Sequence, residues 1–341
     1  MTTISAEAYA PYSSPEEYIL GWTDRIWETR SIGSIRDHYG PDVKVHGSYG
    51  TIYGPEAVIR ASLMKKAAFP TKSFAGEDVI CEARGDGSFV SSHRIVQSGP
   101  MEGGPWLYGA PTLRESVSRN IATCLVRDAL LVEEWVVRDE FAVVEQLGFD
   151  PEALARRLAF DDNASLLGSA DPSSEVGSAP TAPLAEGVSG RRPATHSGEG
   201  EFIVDVIEQV WNRRLFDLAS KVVHRDGICY SSRNRTATRV LGYQRELERL
   251  FAAVPDGRVE VHDVAIAESP FFGVRVGVVW RLHGTYCGLP VYGTPTASPV
   301  YILGSSHFLL RDGKIFREWR VYDELALLTQ IVRARGDEPG R

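Results

Sequence analysis

The chain has 341 residues, 43% hydrophobic and 24% charged, with a formal net charge of −8. That length accommodates two domains of about 130–150 residues and a linker, each able to bury a core without a metal or disulfide staple. The acidic balance argues against a phosphate-backbone partner, so nucleic acid is not expected. Cys81, Cys124, Cys229 and Cys287 lie far apart with no Cys-x-x-Cys pair, which suggests reduced thiols and neither a zinc site nor a secreted disulfide framework.

The first residues lack the basic and apolar stretches of a leader, and no apolar run approaches the roughly 18 residues that span a bilayer. A cytoplasmic protein with no membrane partner is expected. Ser14-Pro15-Glu16-Glu17 then sets a Ser N-cap, a Pro at the first helical position and a Glu at the third, which starts a helix. Tyr18, Ile19, Trp22, Ile26 and Trp27 recur at helical spacing and give it one apolar stripe. Short alternating or β-branched runs at 43–49, 78–83, 89–97, 116–126 and 130–137 read as strands, the last two joined by a tight turn at Arg127-Asp128-Ala129. A helix over 140–147 follows, and Asp150-Pro151-Glu152 caps another.

Between 161 and 200 the chain becomes Ser, Gly, Pro, Ala and Thr with hardly any large apolar residue, a composition that predicts a flexible linker. Beyond it Ile203, Val206, Ile207, Val210 and Trp211 form a second helical stripe. Runs at 227–231, 259–267, 274–283, 300–310 and 314–321 read as strands, with an Asp312-Gly313 hairpin signal and a closing helix over 324–332.

The two halves say nearly the same thing 184 positions apart (292 − 108 and 318 − 134). Tyr108-Gly-Ala-Pro-Thr112 and Glu134-Trp-Val-Val-Arg-Asp-Glu140 return as Tyr292-Gly-Thr-Pro-Thr296 and Glu318-Trp-Arg-Val-Tyr-Asp-Glu324. Ile26-Trp-Glu-Thr-Arg30 pairs with Val210-Trp-Asn-Arg-Arg214 at the same offset, so the chain is one module twice. The expected domains are 1–160 and 201–335, each an α+β module with helices first and a meander after.

At these motifs each half resembles the SnoaL-like polyketide cyclases of the NTF2-like superfamily. The carrying residues are the Pro-Thr after a Tyr-Gly turn, and the endings Asp312-Gly-Lys-Ile-Phe-Arg-Glu-Trp319-Arg-Val-Tyr-Asp323 with Gln330, and Val132-Glu-Glu-Trp135-Val-Val-Arg-Asp139 with Gln146. The resemblance implies two cone-shaped α+β barrels, helices packed on a curved antiparallel sheet. It also implies cofactor-free acid/base chemistry of cyclase, isomerase or lyase type on a small apolar carbonyl metabolite. Two departures stand out: Glu134 and Glu318 occupy the place where the cyclases often carry a His, and Leu113 and Ala297 replace the usual Gly after Pro-Thr.

Strand alternation puts Glu133, Trp135, Val137 and Asp139 on one face and Glu134, Val136 and Arg138 on the other, while Arg317, Trp319, Val321 and Asp323 share a face in the second module. A carboxylate beside an indole in an apolar cone would have a raised pKa, as a base for a proton α to a carbonyl requires. The resemblance carries that role to Asp139 and Asp323, which stand equally well as N-caps of the following helices. His46, His93 and His307 are candidates to shuttle protons or steady an enolate, with His283, also on the sheet of the second module, as a binding residue. Trp27, Trp135, Trp211 and Trp319 are core or pocket wall. Tyr108 and Tyr292 line an entrance or simply hold a turn. Arg94 and Asn120 point into a cavity or cover a sheet face. No phosphate loop, dinucleotide fingerprint or metal-ligand pair is present at meaningful spacing, so neither cofactor nor metal is expected.

Three readings follow: an acid/base enzyme, a non-catalytic binding module, and an assembly module. The duplication further suggests that the halves form an intramolecular pseudo-dimer, open to higher homo-oligomers.

Overall fold

The computed structural model describes residues 4–105, 107–160 and 198–336. The expected linker lies outside these residues except for 198–200, which are already helical. The chain divides into two compact units, one ending at Leu154 and the other including Ala155–Phe160 and the second module.

In the first unit, α1 (Pro15–Thr23) starts where expected, with the Ser14 hydroxyl accepting from the Glu17 amide at 3.1 Å. The Glu17 carboxylate reaches back one residue further than a capping box requires, accepting from the Ser13 amide at 3.3 Å. The helix runs into a π turn, Asp24–Glu28, and α2 (Ile35–His38) delivers the chain to β1 (Tyr39–Gly47). Then come β2 (Gly50–Tyr53), α3 (Pro55–Ala68), β3 (Ser73–Ala83), β4 (Phe89–Pro100), β5 (Glu115–Arg127) and β6 (Leu130–Arg138). The unit closes with α4 (Glu140–Leu147), and α5 (Pro151–Phe160) follows.

The second unit repeats the plan. It opens with α6 (Gly198–Val206), a π turn at Ile207–Asn212 and α7 (Ala219–Val222). β7 (Val223–Ser231), β8 (Arg235–Thr238), α8 (Arg239–Ala253), β9 (Arg258–Ser269), β10 (Gly273–Tyr286), β11 (Ser298–Arg311), β12 (Lys314–Tyr322) and α9 (Glu324–Arg335) complete it.

Each unit holds one six-stranded sheet, in the orders β2-β1-β6-β5-β4-β3 and β8-β7-β12-β11-β10-β9. Neither sheet closes into a barrel. The sheets are mixed where a meander was expected, because β1 lies parallel to β6 and β7 parallel to β12. The hairpin strands β2 and β8 and the long helices α3 and α8 were not foreseen; these helices carry the chain from the sheet's outer hairpin to the edge strand opposite.

The backbone repeats as closely as the letters do. Asp128 and Ala129 (φ 51 and 56) match Asp312 and Gly313 (φ 52 and 66), the left-handed pair that a type I′ hairpin needs. Leu113 and Ala297 both stand at positive φ (60 and 54), so the glycine these positions lack would have satisfied a real backbone demand. No helix among the described residues is long and apolar enough to cross a membrane.

In the first unit the core joins the stripe Tyr18, Ile19, Trp22 and Ile26 and the α3 residues Val58 and Ile59 to one face of the sheet, including Val45, Val79, Cys124 and Val136. Val136 shares its strand face with Glu134, so the helix-facing side of the sheet is the Glu134 side.

Candidate functional site

Strand register sorts the helix-facing side of the first unit into rows. Cys81, Ser91, Cys124 and Glu134 form one; Val79, His93, Ala122 and Val136 the next; Ile95, Asn120 and Arg138 a third; Gln97 and Ser118 a fourth. The second unit aligns row for row: Ile266, Val276, Phe308 and Glu318; Val264, Val278, Ser306 and Arg320; Trp280, Gly304 and Tyr322; Leu282 and Ile302.

Glu134 is 8% exposed and accepts one hydrogen bond from these surroundings, from the Tyr39 hydroxyl at 3.0 Å. Burial raises its pKa above the usual carboxylate range, partly opposed by the Tyr39 bond and the Arg138 charge. Burial likewise lifts the Tyr39 phenol, helped by the negative charge it faces. His38 packs edge-on against Tyr39 and stacks on Trp22 with ring centroids 4.6 Å apart. Burial pushes His38 down to about 3, so its imidazole is neutral. The Tyr18 hydroxyl donates to the Ala129 carbonyl (2.8 Å) and lies 3.0 Å from His38 Nδ1. With that proton committed, His38 Nδ1 is the donor to Tyr18, which leaves Nε2 unprotonated. The Trp22 indole N–H, on a residue 9% exposed, has no hydrogen-bond partner among the described residues. An acid of raised pKa, a neutral imidazole and an unspent donor thus sit against apolar walls.

The second unit handles the same position differently. Glu318 is bound by Arg320 through two bonds, Nε to Oε1 at 2.7 Å and Nη2 to Oε2 at 2.8 Å, and Ser306 adds a third at 3.1 Å. Arg320 lies over the Trp211 ring at 4.3 Å, and Trp211 donates to the Tyr243 hydroxyl at 3.1 Å. Trp280 donates to Ser306 and meets Trp211 edge-on at 5.6 Å. Gly304 makes this possible, because a Cβ there would lie 2.1 Å from Trp280 Cζ2. Trp211, Trp280, Glu318 and Arg320 are all at most 2% exposed, so this interior is filled by its own side chains.

The residues singled out from sequence scatter. Asp139 and Asp323 are helix caps: Asp139 accepts from the Ala142 amide (3.2 Å) and Asp323 from the Leu325 amide (2.9 Å), on the face away from Glu134 and Glu318. His46 also lies on the second face, between Thr51 Oγ1 (2.8 Å) and Glu133 Oε1 (2.9 Å) and stacked on Trp135. Tyr230 stacks on Trp319 at the matching position, which marks both pairs as sheet packing. His307 lies across from Trp319, and His283 leans on Tyr301, again on the second face. Arg94 pairs there with Glu77 at 2.9 Å. Trp27 stacks on Phe74 at the rim. Tyr108 donates to Glu140 at the start of α4, and Tyr292 is buried with its amide donating to the Tyr286 hydroxyl within the β10–β11 connection. Only His93, whose Nδ1 is 3.5 Å from Thr23 Oγ1, and Asn120 share the helix-facing side with Glu134, while Trp211 belongs to the filled interior of the second unit. Tyr18, Trp22, His38 and Tyr39 were missed as site residues. Tyr18 and Trp22 were visible only as members of a helical stripe.

Among the described residues no group of three or more His, Cys, Asp or Glu side chains could hold a metal ion. An open groove bounded by Arg36, Glu56, Arg60 and Met64 lies on the surface of the first unit, apart from all these groups.

An open mixed sheet wrapped on one side by helices, with a polar cluster on its helix-facing side, defines the NTF2-like class of α+β folds, here in tandem. Residues 201–331, most of the second unit, match the model of the family described as SnoaL-like polyketide cyclase, and the first unit repeats the sheet topology of the second. No curated protein matches the chain. Among solved structures, a protein assigned as a SnoaL-like polyketide cyclase from Jannaschia sp. CCS1 is 21% identical, over 40% of this chain and 96% of that one, with a TM-score of 0.35. A SnoaL-like polyketide cyclase from Agrobacterium tumefaciens is 19% identical, over 40% and 98%, with a TM-score of 0.32. IdmH of Streptomyces antibioticus is 17% identical, over 39% and 98%, with a TM-score of 0.35.

Proposed function

We propose that the first unit is a cofactor-independent acid/base site in which Glu134 removes and returns a proton α to the carbonyl of a small, mostly apolar substrate, in the range of cyclisation, isomerisation or elimination. The observation that carries this reading is the contrast between equivalent carboxylates. Glu318 is locked to an arginine inside a filled core, whereas Glu134 faces Val136 at that register position and keeps a raised pKa. The smaller Ser91 and Cys124, in place of Val276 and Phe308, support room for a ligand beside it. The Trp22 N–H is the donor for the developing enolate oxygen, and neutral His38 holds Tyr18 and Tyr39 in place.

The test uses 2-acetylnaphthalene as a probe ketone and follows deuterium uptake at its methyl group by proton NMR. Wild type should exceed the buffer rate, with activity rising with pH through a carboxyl value above the ordinary range. Glu134→Gln should lose about a hundredfold or more, the usual scale for a positioned base. Retained exchange in that variant would end the proposal. Stability supplies an independent sign. A carboxyl whose folded pKa is raised weakens the fold above its unfolded value of about 4.3 and ceases to do so as pH falls below it. Glu134→Gln should therefore stabilise the protein at pH 7 and have little effect near pH 4.

The filled second unit supports a non-catalytic, structural role for that half. The duplication supports association of the halves as a fused dimer. Separately expressed halves that stay monomeric when mixed, by sedimentation, would remove that part.

A further inference from the structure

Lysine is scarce in this chain. Of 37 basic residues six are lysines, and Lys65, Lys66 and Lys72 gather where α3 gives way to β3. Lys72 is 3% exposed, and its ammonium, which lies over the Phe69 ring at 4.4 Å, makes neither hydrogen bond nor ion pair among the described residues. The carboxylate whose charge reaches it, Glu140, is already engaged, accepting from Lys65 Nζ at 3.1 Å and from the Tyr108 hydroxyl. Lys66 Nζ donates to the Lys72 carbonyl at 3.0 Å. An ammonium buried without a partner is destabilising, and such a group persists where something else requires it. The fold does not require this one. Ser73 pairs with Ser98 as Arg258 pairs with His283, which makes Gly257 the counterpart of Lys72. Both close the same turn, the Lys72 amide donating to the Phe69 carbonyl (3.2 Å) and the Gly257 amide to the Val254 carbonyl (2.9 Å). Each is met by a glycine of the next strand, since a Cβ on Gly99 would lie 2.7 Å from the Lys72 Cα and one on Gly284 2.7 Å from the Gly257 Cα. One unit thus makes the turn with no side chain, and the other buries an amine there.

We propose that Lys72 is a carbamylation site, whose buried amine takes up carbon dioxide. The nitrogen lone pair forms the C–N bond, one C=O π pair moves onto oxygen, and the nitrogen gives its proton to solvent, so the step needs no oxidant and no further reactant. Burial, and after it the Lys65 charge, brings Lys72 down to about 7, with Glu140 opposing and Arg138 adding to the shift. A large share is therefore free amine near neutral pH, and the free amine is the nucleophile. Two features select carbon dioxide among electrophiles. It is small and uncharged, as the burial of the amine demands. Its product is an anion, and the positive charges of Lys65 and Arg138 outweigh the negative charge of Glu140 at this point, which favours an anion. An imine with an aldehyde or ketone would instead have to pass through a cationic form that the same charges oppose. The site does not depend on Glu134 acting as a base.

Carbon dioxide itself is the probe. The full chain, equilibrated with bicarbonate near neutral pH, is quenched with triethyloxonium, which ethylates a carbamate oxygen, and each lysine is read by peptide mass spectrometry. Lys72 should carry the trapped ester at least about tenfold more than the exposed Lys44 or Lys221, because an ordinary solvated lysine is almost wholly protonated near neutral pH. Bicarbonate should also raise the melting temperature of wild type relative to chloride at equal pH and ionic strength, since a ligand bound by the folded state alone stabilises it. Lys72→Met, which keeps the length of the side chain without its charge, should melt above wild type in chloride and show no bicarbonate shift. Trapping at Lys72 no greater than at Lys44, or an equal bicarbonate shift in Lys72→Met, would overturn the proposal. Acetaldehyde fixed on Lys72 by borohydride, with no carbamate trapped there, would overturn it in favour of imine chemistry.

Discussion

Replacing Arg320 by valine, the residue the first unit carries at that position, would turn the filled unit into a test of what the pairing does. Glu318 is fully buried and Arg320 nearly so, joined by two bonds of 2.7 and 2.8 Å. Removing one partner of such a pair strands a charge in a dry interior, a loss of about 3–5 kcal/mol in comparable cases. The contact of Arg320 with the Trp211 ring, worth about 1–2 kcal/mol when desolvated, is lost within the same change. Arg320→Val should therefore lower the stability of the second unit by at least about 3 kcal/mol at pH 7. The double variant Glu318→Gln/Arg320→Val carries no charge to strand and should recover most of the loss. Urea denaturation followed by tryptophan fluorescence between pH 4 and 8 reads all three, since Trp211 and Trp280 lie against the pair. A loss below about 1 kcal/mol, or a double variant no better than the single one, would refute the view that the arginine neutralises an otherwise costly carboxylate.

Other consequences can be checked on the same preparation. Gly304→Ala should destabilise by about 1–3 kcal/mol or more, because its methyl would overlap the Trp280 ring at 2.1 Å; an unchanged denaturation midpoint would contradict the packing described. Leu113→Gly should stabilise by about 0.5–1 kcal/mol: Leu113 is 73% exposed at φ 60, so relief of a left-handed penalty of about 1–2 kcal/mol exceeds the entropic cost of glycine. Asp139→Ala and Asp323→Ala should each cost about 1 kcal/mol as lost caps, measured by thermal melting, and Asp139→Ala should leave deuterium exchange into the probe ketone intact.

Much of the fold was legible because duplication made every signal appear twice. The I′ turns at Asp128 and Asp312 and the shared Trp-Asp ending each had a partner at the same offset. Long-range pairing was not legible. The residues of β1 alternate like those of any edge or central strand, and nothing local says that they lie parallel to β6. The helix-facing cluster around Glu134 was not singled out for a related reason. Alternation separates Glu133, Trp135 and Asp139 from Glu134, Val136 and Arg138, yet both sets mix acid with apolar groups. Which set meets the helices depends on α1 and α3 packing, which periodicity within β6 cannot supply. Trp135 next to Asp139 suggested a pocket wall and base, but the indole stacks on His46 and the aspartate caps α4. Glu134, noted only as a departure from a family pattern, is the residue the fold places among the helices.

The parallel pairing of the first strand with the last also dictates an order of assembly. β3 to β6 form a run of local hairpins that can zip as soon as they emerge, whereas the β1–β2 hairpin must wait for β6, about ninety residues downstream, before it can join the rest of the sheet. Closing so long a loop is slow compared with forming hairpins, so each unit gains its amino-terminal third last. Tyr39 meets Glu134 only at that final docking. A ribosome-bound chain that stops short of residue 130 can hold every site residue of the amino-terminal helices and still have no site.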